Sequence, residues 1–382
     1  MSIDVIWWES SITDHQLHTL KELSCLQGIN LRVHALKSES NDRKRQGWTS
    51  SDLSLVNGEV FERRPILFIL RTFFRRSNAV HIFGGPFDSF LITFALFISL
   101  ILGKRTFVLT EPFSPISAGL LEDNWRSMFP FVARFRAIKH RILWMLVKVR
   151  VDGIFAVSKL AVSQLERFGV QSKKIFPFGY FVPAINRPSA IVSRNDSEVL
   201  RLIFVGTINS TKGIDLAVNA IDAFNRSGQK VILDVYGPGD VGRLELPKSG
   251  VSFKGLIEFG NSQSVIAGYD CLILPSRYDG WGVTVNEALL AGVPVICSRQ
   301  VGASVLVEKW GCGAVFDHNI KGSFVKVISE LCDERVTLLK EWRVNAEYVI
   351  NIISPFVAAQ YIADVLFDRL DEKTNGISIT YQ

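Results

Sequence analysis

Short apolar runs alternate with longer segments of helical periodicity along the first half of the chain. The runs that we predict to be strands cover residues 3–8, 29–35, 79–83, 106–109 and 153–157. Alternation of this kind is typical of a parallel sheet with helical crossovers, which is a doubly wound α/β domain. Residues 37–58 are polar, and we predict an exposed loop there.

The same alternation restarts in the second half of the chain. Residues 176–183, which include two prolines, lead into a polar stretch at 193–198 and have the composition of a linker. The strands that we predict after it cover residues 201–205, 231–236, 251–253, 271–274 and 293–296. The sequence therefore predicts the α/β fold class, with two Rossmann-like doubly wound domains facing a cleft, at 1–182 and 183–353.

The composition of the 382 residues indicates a globular protein of two domains, with 48% hydrophobic residues. Its five cysteines are scattered and contain no Cys-x-x-Cys, so we expect a reducing compartment and neither disulfides nor a zinc site. Asp4 and Glu9 argue against a signal peptide, and we expect a cytoplasmic protein. The apolar run at 90–103 is shorter than the roughly 20 residues that span a bilayer, which predicts a buried crossover helix.

Positive charge is concentrated in the first half. Residues 1–180 hold 24 basic and 15 acidic residues (+9), and the rest hold 19 and 22 (−3), which gives the total of +6. The segment 125–150 has seven basic residues, no acidic residue and several large aromatics. This composition favours binding to an anionic membrane surface, on the inner face of the cell membrane. A solvated helix face is the open alternative, and no nucleic-acid motif accompanies the charge.

The most informative segment runs from residue 274 to 296 and begins at the end of the apolar run 271–274. It predicts a strand, a Gly-rich turn with Asp279, a helix with Glu287, and another strand after Gly292 and Pro294. Thr284 followed by Glu287 suggests a capping box at the helix start. Free N–H groups and positive partial charge at such a helix N-terminus suit a diphosphate or a sugar hydroxyl.

This segment resembles the signature of the retaining GT-B glycosyltransferases of family 4, in which two Glu residues stand eight positions apart. Asp279 replaces the first Glu, and Glu287 matches the second. Residues 205–213 are similar to the Gly-Arg-Leu-x-x-x-Lys-Gly segment that holds the donor diphosphate in that family. Lys212 matches its Lys, but Thr207 stands where the Arg is usual. Either Lys212 acts with helix N–H groups alone, or Arg277 assists it.

The resemblance implies a divided site on the second domain. Asp279 and Glu287 would be the catalytic carboxylates, with Glu287 on the ribose and Asp279 on the donor sugar. The implied donor-binding residues are Gly206, Thr207, Lys212, Arg277, Gly280, Trp281, Gly282, Val283 and Glu287. A resemblance of this kind also implies that the last helix, about 354–382, packs back on the first domain.

The first domain resembles the family less closely. Glu111 stands where the family often has a His facing the reacting sugar, and both a catalytic and a structural role are open for it. The acceptor-side candidates are His15, His81 and Gly84, of which the two histidines are each better explained by structural roles. The Gly-x-Gly-x-x-Gly at 237–242 precedes a connection too short for a crossover helix, so we predict a turn there.

The function that these features imply is retaining transfer of a sugar from a nucleoside-diphosphate sugar to a saccharide acceptor. A lipid-linked acceptor in bacterial surface polysaccharide assembly fits the basic segment. No cofactor is implied, and no metal, because the sequence contains no Asp-x-Asp. Two alternatives stay open: a nucleotide-sugar epimerase or hydrolase on the same fold, and a non-catalytic membrane-associated scaffold.

Overall fold

A computed structural model describes residues 2–38, 52–75, 78–113, 129–185, 199–245 and 248–369. These residues form two compact units. The first contains 2–113, 129–181 and the residues from Pro355 onward, and the second contains Val182–Ser354. The polar stretch at 193–198, which is the second part of the predicted linker, lies outside the described residues.

Every strand of the described residues belongs to one of two parallel sheets. The first sheet consists of β1 (Ile3–Glu9), β2 (Ile29–Ala35), β3 (Gly58–Val60), β4 (Val80–Gly84), β5 (Thr106–Thr110), β6 (Gly153–Val157) and β7 (Ile175–Phe178). The second consists of β8 (Leu200–Val205), β9 (Val231–Tyr236), β10 (Val251–Gly255), β11 (Cys271–Leu274), β12 (Val295–Ser298) and β13 (Gly313–Phe316).

Helices connect most of the successive strands in both units. Those of the first half are α1 (Asp14–Cys25), α2 (Pro65–Arg75), α3 (Phe90–Ile101), α4 (Phe129–Val147) and α5 (Ser158–Arg167). Those of the second half are α6 (Ile214–Arg226), α7 (Ser262–Ile266), α8 (Val283–Leu290), α9 (Ser304–Trp310), α10 (Ser323–Asp333), α11 (Arg335–Val349) and α12 (Pro355–Leu366). Single 3₁₀ turns lie at Leu53–Val56, Ser172–Lys174 and Val241–Leu244.

The strand order of the first sheet, β3-β2-β1-β4-β5-β6-β7, decides which face each helix covers. The chain moves outward from β1 to β3, then returns past β1 and moves the other way. Because parallel crossovers are right-handed, α1 covers one face and α2 to α5 cover the other. Packing agrees: α2, α3, α4 and α5 all bury residues in one core with β1, β4, β5 and β6, whereas α1 packs against α12.

All ten predicted strands are present, with ends that differ by a few residues, and two loop predictions need correction. The predicted linker at 176–183 begins inside β7, the edge strand of the first sheet. Pro177 is tolerated there because an edge strand leaves some N–H groups unpaired. The predicted loop at 37–58 reaches the first residue of β3, and β13 was not predicted. The crossover helix at 90–103 is confirmed as α3, but it is not fully buried: Phe90 is 79% exposed.

The second sheet has the order β10-β9-β8-β11-β12-β13. The loops that leave the carboxyl ends of β8 and β11 approach each other closely. A Cβ on Gly213 would collide with the carbonyl oxygen of Pro275, and the φ of Gly213 is +67°. Glycine is therefore required there by both space and backbone conformation. The predicted turn at 237–242 is confirmed, since Val241–Leu244 form a single 3₁₀ turn between β9 and β10.

Candidate active site

Two predicted site residues, Lys212 and Asp279, form an ion pair at the carboxyl edge of the second sheet. Lys212 follows β8 and Asp279 follows β11, which are neighbouring strands. The Lys212 Nζ lies 2.5 Å from the Asp279 Oδ2. Both side chains are largely buried, at 26% and 13% exposure, which strengthens the attraction relative to a surface pair. The side-chain oxygen of Asn209 accepts the backbone N–H of Lys212 and fixes the start of this loop.

Arg277 lies beside this pair, but its guanidinium group is engaged in another contact. Its two terminal nitrogens donate to the two carboxylate oxygens of Asp215, at 2.7 and 2.6 Å, and Nη1 also donates to the carbonyl of Ser210. The fork geometry of such a pair gives both strength and orientation. Arg277 therefore ties the loop after β11 to the loop after β8 and to the first turn of α6.

The helix with Glu287 starts differently from the predicted capping box. Gly282, with a φ of +86°, is the N-cap, and no side chain caps the helix. Thr284 is thus the second helical residue, so the capping-box prediction is wrong. The first turn of α8 leaves backbone N–H groups pointing past Gly282, where an anion is favoured. Glu287 instead accepts a hydrogen bond of 2.6 Å from the hydroxyl of Ser262, at the start of α7.

The remaining predicted donor residues lie at the same edge of the second sheet. Gly206, Thr207 and Gly280 are partly exposed in the loops after β8 and β11, and Val283 is partly exposed as the first residue of α8. Trp281 is different, since only 2% of it is exposed and its indole N–H donates to Asn286 at 2.8 Å. The Trp281 side chain thus packs inside the unit and shapes the turn, and a donor would meet its backbone.

The carboxyl edge of the first sheet brings together three other predicted residues: Glu111, His15 and Gly84. Tyr180, which follows β7, is buried and hydrogen-bonds to the side chain of Glu111. Burial raises the pKa of Tyr180 well above its ordinary value, and the nearby carboxylates, first Glu111, raise it further. The His15 ring lies 4.4 Å from the Tyr180 ring. A Cβ on Gly84 would collide with the buried carboxylate of Glu9, so Gly84 makes room for it.

Glu9 and Tyr180 were not among the residues that the sequence predicted. Glu9 ends β1 and accepts a hydrogen bond from the indole N–H of Trp7. A carboxylate at the end of a buried strand was the available signal for Glu9. Tyr180 gave none, because the segment around it was interpreted as a linker. Glu111 also borders a small recess lined by Phe113, His140 and Gln164.

His81 lies in the core of the first unit and not at this edge. Its side chain has no exposed area, and its Nδ1 accepts a 3.0 Å hydrogen bond from the indole N–H of Trp8. Its ring stacks on Phe73 with 4.5 Å between centroids. Burial lowers the pKa of His81 to about 3, and Lys104 and His34 contribute further. The acceptor-side prediction for His81 is therefore corrected to a neutral structural role, since an acceptor would have no access to it.

Within the described residues, no group of three or more His, Cys, Asp or Glu side chains is placed to hold a metal ion. Among the helices that the structure describes, none combines the length and apolar character needed to cross a membrane.

Known proteins resemble the chain in both sequence and fold. Residues 190–348, less than half of the chain, match the family model described as "Glycosyl transferases group 1". An uncharacterized 41.2 kDa protein in the cps region of Klebsiella pneumoniae is 29% identical over 139 residues, which cover 35% of this chain and 38% of that protein. The lipopolysaccharide glucosyltransferase WaaG of Escherichia coli is 20% identical over 214 residues, which cover 54% and 57%. The chain thus spans between 38% and 57% of these two curated relatives.

The likeness in fold extends over nearly the whole chain. The crystal structure of Anabaena HepE in complex with UDP has a TM-score of 0.71 and 14% identity, and covers 96% of this chain and 100% of that one. The two parallel sheets with their helices, together with this likeness, confirm the predicted α/β fold class. The fold is the GT-B fold of glycosyltransferases. The family match and the fold together support a GT-B glycosyltransferase.

Proposed function

We propose that the protein is a retaining glycosyltransferase of the family 4 type that moves a sugar from a nucleoside-diphosphate sugar to a saccharide acceptor. The observation that carries this proposal is the Lys212–Asp279 ion pair beside the uncapped N-terminus of α8. In it a cation, a carboxylate and helix N–H groups surround one point at the carboxyl edge of a parallel sheet. Ligands of α/β folds bind at such edges.

The chemistry assigned to these groups follows from the leaving group. A nucleoside diphosphate needs no protein acid to depart, but its developing negative charge needs stabilisation. Lys212 and the N–H groups of the first turn of α8 supply that stabilisation. Glu287, oriented by Ser262, binds the ribose hydroxyls. When Lys212 turns to the phosphates, Asp279 is released to bind hydroxyls of the donor sugar.

We propose that this reaction uses no metal or cofactor. Lys212 and the helix N-terminus provide the positive charge that a metal supplies in other transferases. The sequence carries no Asp-x-Asp, the pair with which many transferases hold a divalent ion. Retention of configuration rests on the resemblance of residues 274–296 to the family signature.

The named relatives support a donor with a nucleoside diphosphate and an acceptor in polysaccharide assembly. HepE has been crystallised with UDP-glucose, WaaG is a lipopolysaccharide glucosyltransferase, and the Klebsiella relative belongs to a cps region. We propose a UDP-sugar as the first donor to test, and a lipid-linked saccharide of bacterial surface polysaccharide assembly as the acceptor. In this scheme residues 183–353 bind the donor, and 1–182 with the last helix bind the acceptor.

The described part of the basic segment 125–150 supports a place for the enzyme on the inner face of the cell membrane. On α4 and just after it, large apolar side chains are exposed in one stripe. They are Phe135, Ile138, Ile142, Met145, Leu146 and Val149. Exposed Lys139 and Arg150 border the stripe on one side and Arg141 on the other. Apolar side chains flanked by cations suit an anionic bilayer surface. Arg126 and the side chains of Arg134 and Arg136 lie outside the described part.

The test begins with a panel of nucleotide-sugars, assayed for thermal stabilisation of the protein and then for transfer to lipid-linked acceptors. Lys212→Ala and Glu287→Ala should each abolish most of the transfer. Lys326→Ala, on the exposed side of α10 in the same unit, should not change it. Unchanged transfer by the first two variants would refute the site. Release of free sugar or of an isomer without acceptor would indicate a hydrolase or epimerase, and absence of nucleotide binding would indicate a scaffold.

A further inference from the structure

The outward side of α3 is apolar, which is unusual for a helix on the outside of a parallel sheet. Phe90 and Ile101 are 79% and 71% exposed, and Phe94, Phe97 and Ile98 between them are only partly buried. No charged residue occurs between Asp88 and Lys104. Outer helices of soluble α/β domains normally turn polar residues to water. Exposed apolar surface of this extent marks an interaction site.

The neighbouring helix α2 exposes a second apolar row. Ile69 and Phe73 face the core, whereas Ile66, Leu67 and Phe74 are 52%, 43% and 76% exposed. Arg71 and Arg75 are exposed beside this row and lie along one border of it. The exposed side of α2 thus combines large apolar side chains with cations, as the exposed side of α4 does.

These three helices lie side by side on one face of the first sheet. They make the successive crossovers from β3 to β4, from β4 to β5 and from β5 to β6, which places α3 between α2 and α4. All three bury their inward sides in the same core, and α2 packs against α3. Their outward sides therefore all point away from the same face of the first sheet, and we call the surface that they form the three-helix face.

The charge of the three-helix face is of one sign. The sequences of α2, α3 and α4 contain no Asp or Glu, while α2 and α4 carry arginine and lysine. A second copy of the chain seated on this face would bring like charges together. A bilayer with anionic head groups would accept the apolar side chains and attract the cations at the borders.

We propose that the whole three-helix face, and not α4 alone, is the surface with which this protein lies on an anionic membrane. This inference rests on the membrane association in the proposed function and adds α2 and α3 to it. The helix axes then lie parallel to the membrane plane, and Phe74, Phe90 and Met145 reach the boundary between the head groups and the acyl chains. Arg71 and Arg75 contact the head groups from the side of α2.

This orientation restricts the acceptor. The strands of the first sheet run antiparallel to the helices that cover them, so they also lie parallel to the membrane. The carboxyl edge with Glu111 then opens sideways, about one helix diameter, roughly 10 Å, above the bilayer. A saccharide that is joined to its lipid through a short polar head group reaches that edge while the lipid stays in the membrane.

The test is co-sedimentation of the full chain with vesicles of phosphatidylcholine, with and without phosphatidylglycerol. A Phe side chain that is buried in the lipid contributes about 1.5–3 kcal/mol of apolar transfer free energy, and this contribution is lost when Ser replaces it. We therefore expect Phe74→Ser and Phe90→Ser each to weaken binding to the anionic vesicles by about 10-fold or more. Phe356→Ser is the matched control, because Phe356 is 52% exposed in the same unit but on α12, which packs with α1 on the other face. The control should bind as the wild type does.

The charged border has its own measurement. Each cation near an anionic surface contributes about 1 kcal/mol, so Arg71→Gln and Arg75→Gln should each weaken binding about 5-fold. That loss should disappear on vesicles of phosphatidylcholine alone.

Two outcomes would overturn the inference. If Phe74→Ser and Phe90→Ser bind like the wild type while Met145→Ser does not, the membrane surface is confined to α4. If the wild type is dimeric without vesicles and Phe90→Ser makes it monomeric, the face is an interface between copies.

Binding of a nucleotide-sugar, measured without vesicles, separates this inference from the proposed function. It should be unchanged in the variants of the three-helix face, which also shows that they fold. Donor binding that fails in the wild type would refute the proposed function, whatever the vesicles show.

Discussion

The carboxyl edges of the two sheets differ in how charge is arranged. At the edge of the second sheet three acids each have a polar partner: Lys212 for Asp279, Arg277 for Asp215 and Ser262 for Glu287. At the edge of the first sheet the carboxylates of Glu9 and Glu111 surround a neutral tyrosine. The same topology thus carries a cation-containing site in one unit and an acid-rich site in the other.

In the proposed function, this difference assigns one half of the transfer to each edge. A diphosphate needs positive charge, which the second edge supplies through Lys212 and the N-terminus of α8. A hydroxyl that attacks a sugar needs an oxygen to accept its hydrogen bond, which carboxylates supply. The units also differ in their surfaces, because the three-helix face belongs to the first unit.

Lys212→Ala tests the difference in charge between the two edges most directly. It removes the cation that pairs with Asp279 close to Gly282, and leaves Asp279 without its ion-pair partner. Removal of one donor that stabilises developing charge costs about 10²–10³-fold in kcat. We expect a loss of that size in steady-state transfer, with thermal stability measured in parallel. A loss below 3-fold would mean that the diphosphate is held elsewhere and that the two edges do not differ as described.

Asp279→Asn tests the same edge, because we expect it to have opposite effects on the binding of free nucleoside diphosphate and on transfer. Lys212 is paired with Asp279, so a diphosphate that binds Lys212 competes with that carboxylate. The neutral amide should bind Lys212 less strongly, and we expect free nucleoside diphosphate to bind about 5-fold tighter by calorimetry. Transfer should fall about 10-fold or more, because the donor sugar loses a charged hydrogen-bond acceptor. Weaker binding of the nucleoside diphosphate would show that the ion pair does not compete with the phosphates.

Much of the second unit could be predicted from its sequence because its signals are local. Asp279, Gly282 and Glu287 lie within one strand-turn-helix segment, and Lys212 lies in another. Their partners were not predictable, since Ser262 and Asp215 are 25 and 62 positions away from Glu287 and Arg277. The start of α8 was misplaced because Trp281 buries its indole and Gly282 takes the left-handed conformation, which moves the N-cap to Gly282.

The fold of the first unit was easier to predict than the residues of its candidate site. Its central strands are buried on both faces and appear as apolar runs, whereas β3 and β7 are short edge strands with Gly or Pro. Tyr180 and Glu111 meet only because β7 lies two strands from β5 in the finished sheet. The apolar outer side of α3 was interpreted as buried surface, since an apolar run does not show which of its sides a sheet covers.

The buried His81 gives the first unit a pH dependence. In the folded state its pKa is about 3, and an unfolded His has a pKa near 6.5. Below pH 6.5 the unfolded chain therefore binds a proton that the folded chain does not, so stability falls as the pH drops toward 3. At pH 5 the loss from this group is about 2 kcal/mol relative to pH 7.5. Urea unfolding at both pH values measures it.

The variant His81→Gln tests that assignment. Its stability should change between pH 7.5 and pH 5 by about 2 kcal/mol less than that of the wild type. His18→Gln, at the half-exposed surface of α1, should keep the wild-type pH dependence because His81 remains. An identical pH dependence in wild type and His81→Gln would show that His81 is protonated in the folded state or is accessible to solvent.

The smallest expected effect concerns Ser262, which tests how closely the second edge is organised. Its hydroxyl donates to Glu287 at 2.6 Å and limits the positions that this carboxylate adopts. A hydrogen bond to a charged group contributes about 1.5–3 kcal/mol, part of which water replaces in Ser262→Ala. We therefore expect KM for the donor to rise about 5-fold with little change in kcat, and Ser262→Thr to restore most of the affinity because it keeps the hydroxyl. If Ser262→Ala lowers kcat instead, Glu287 acts on the reacting sugar and not on the ribose, and the division of roles between Asp279 and Glu287 has to be exchanged.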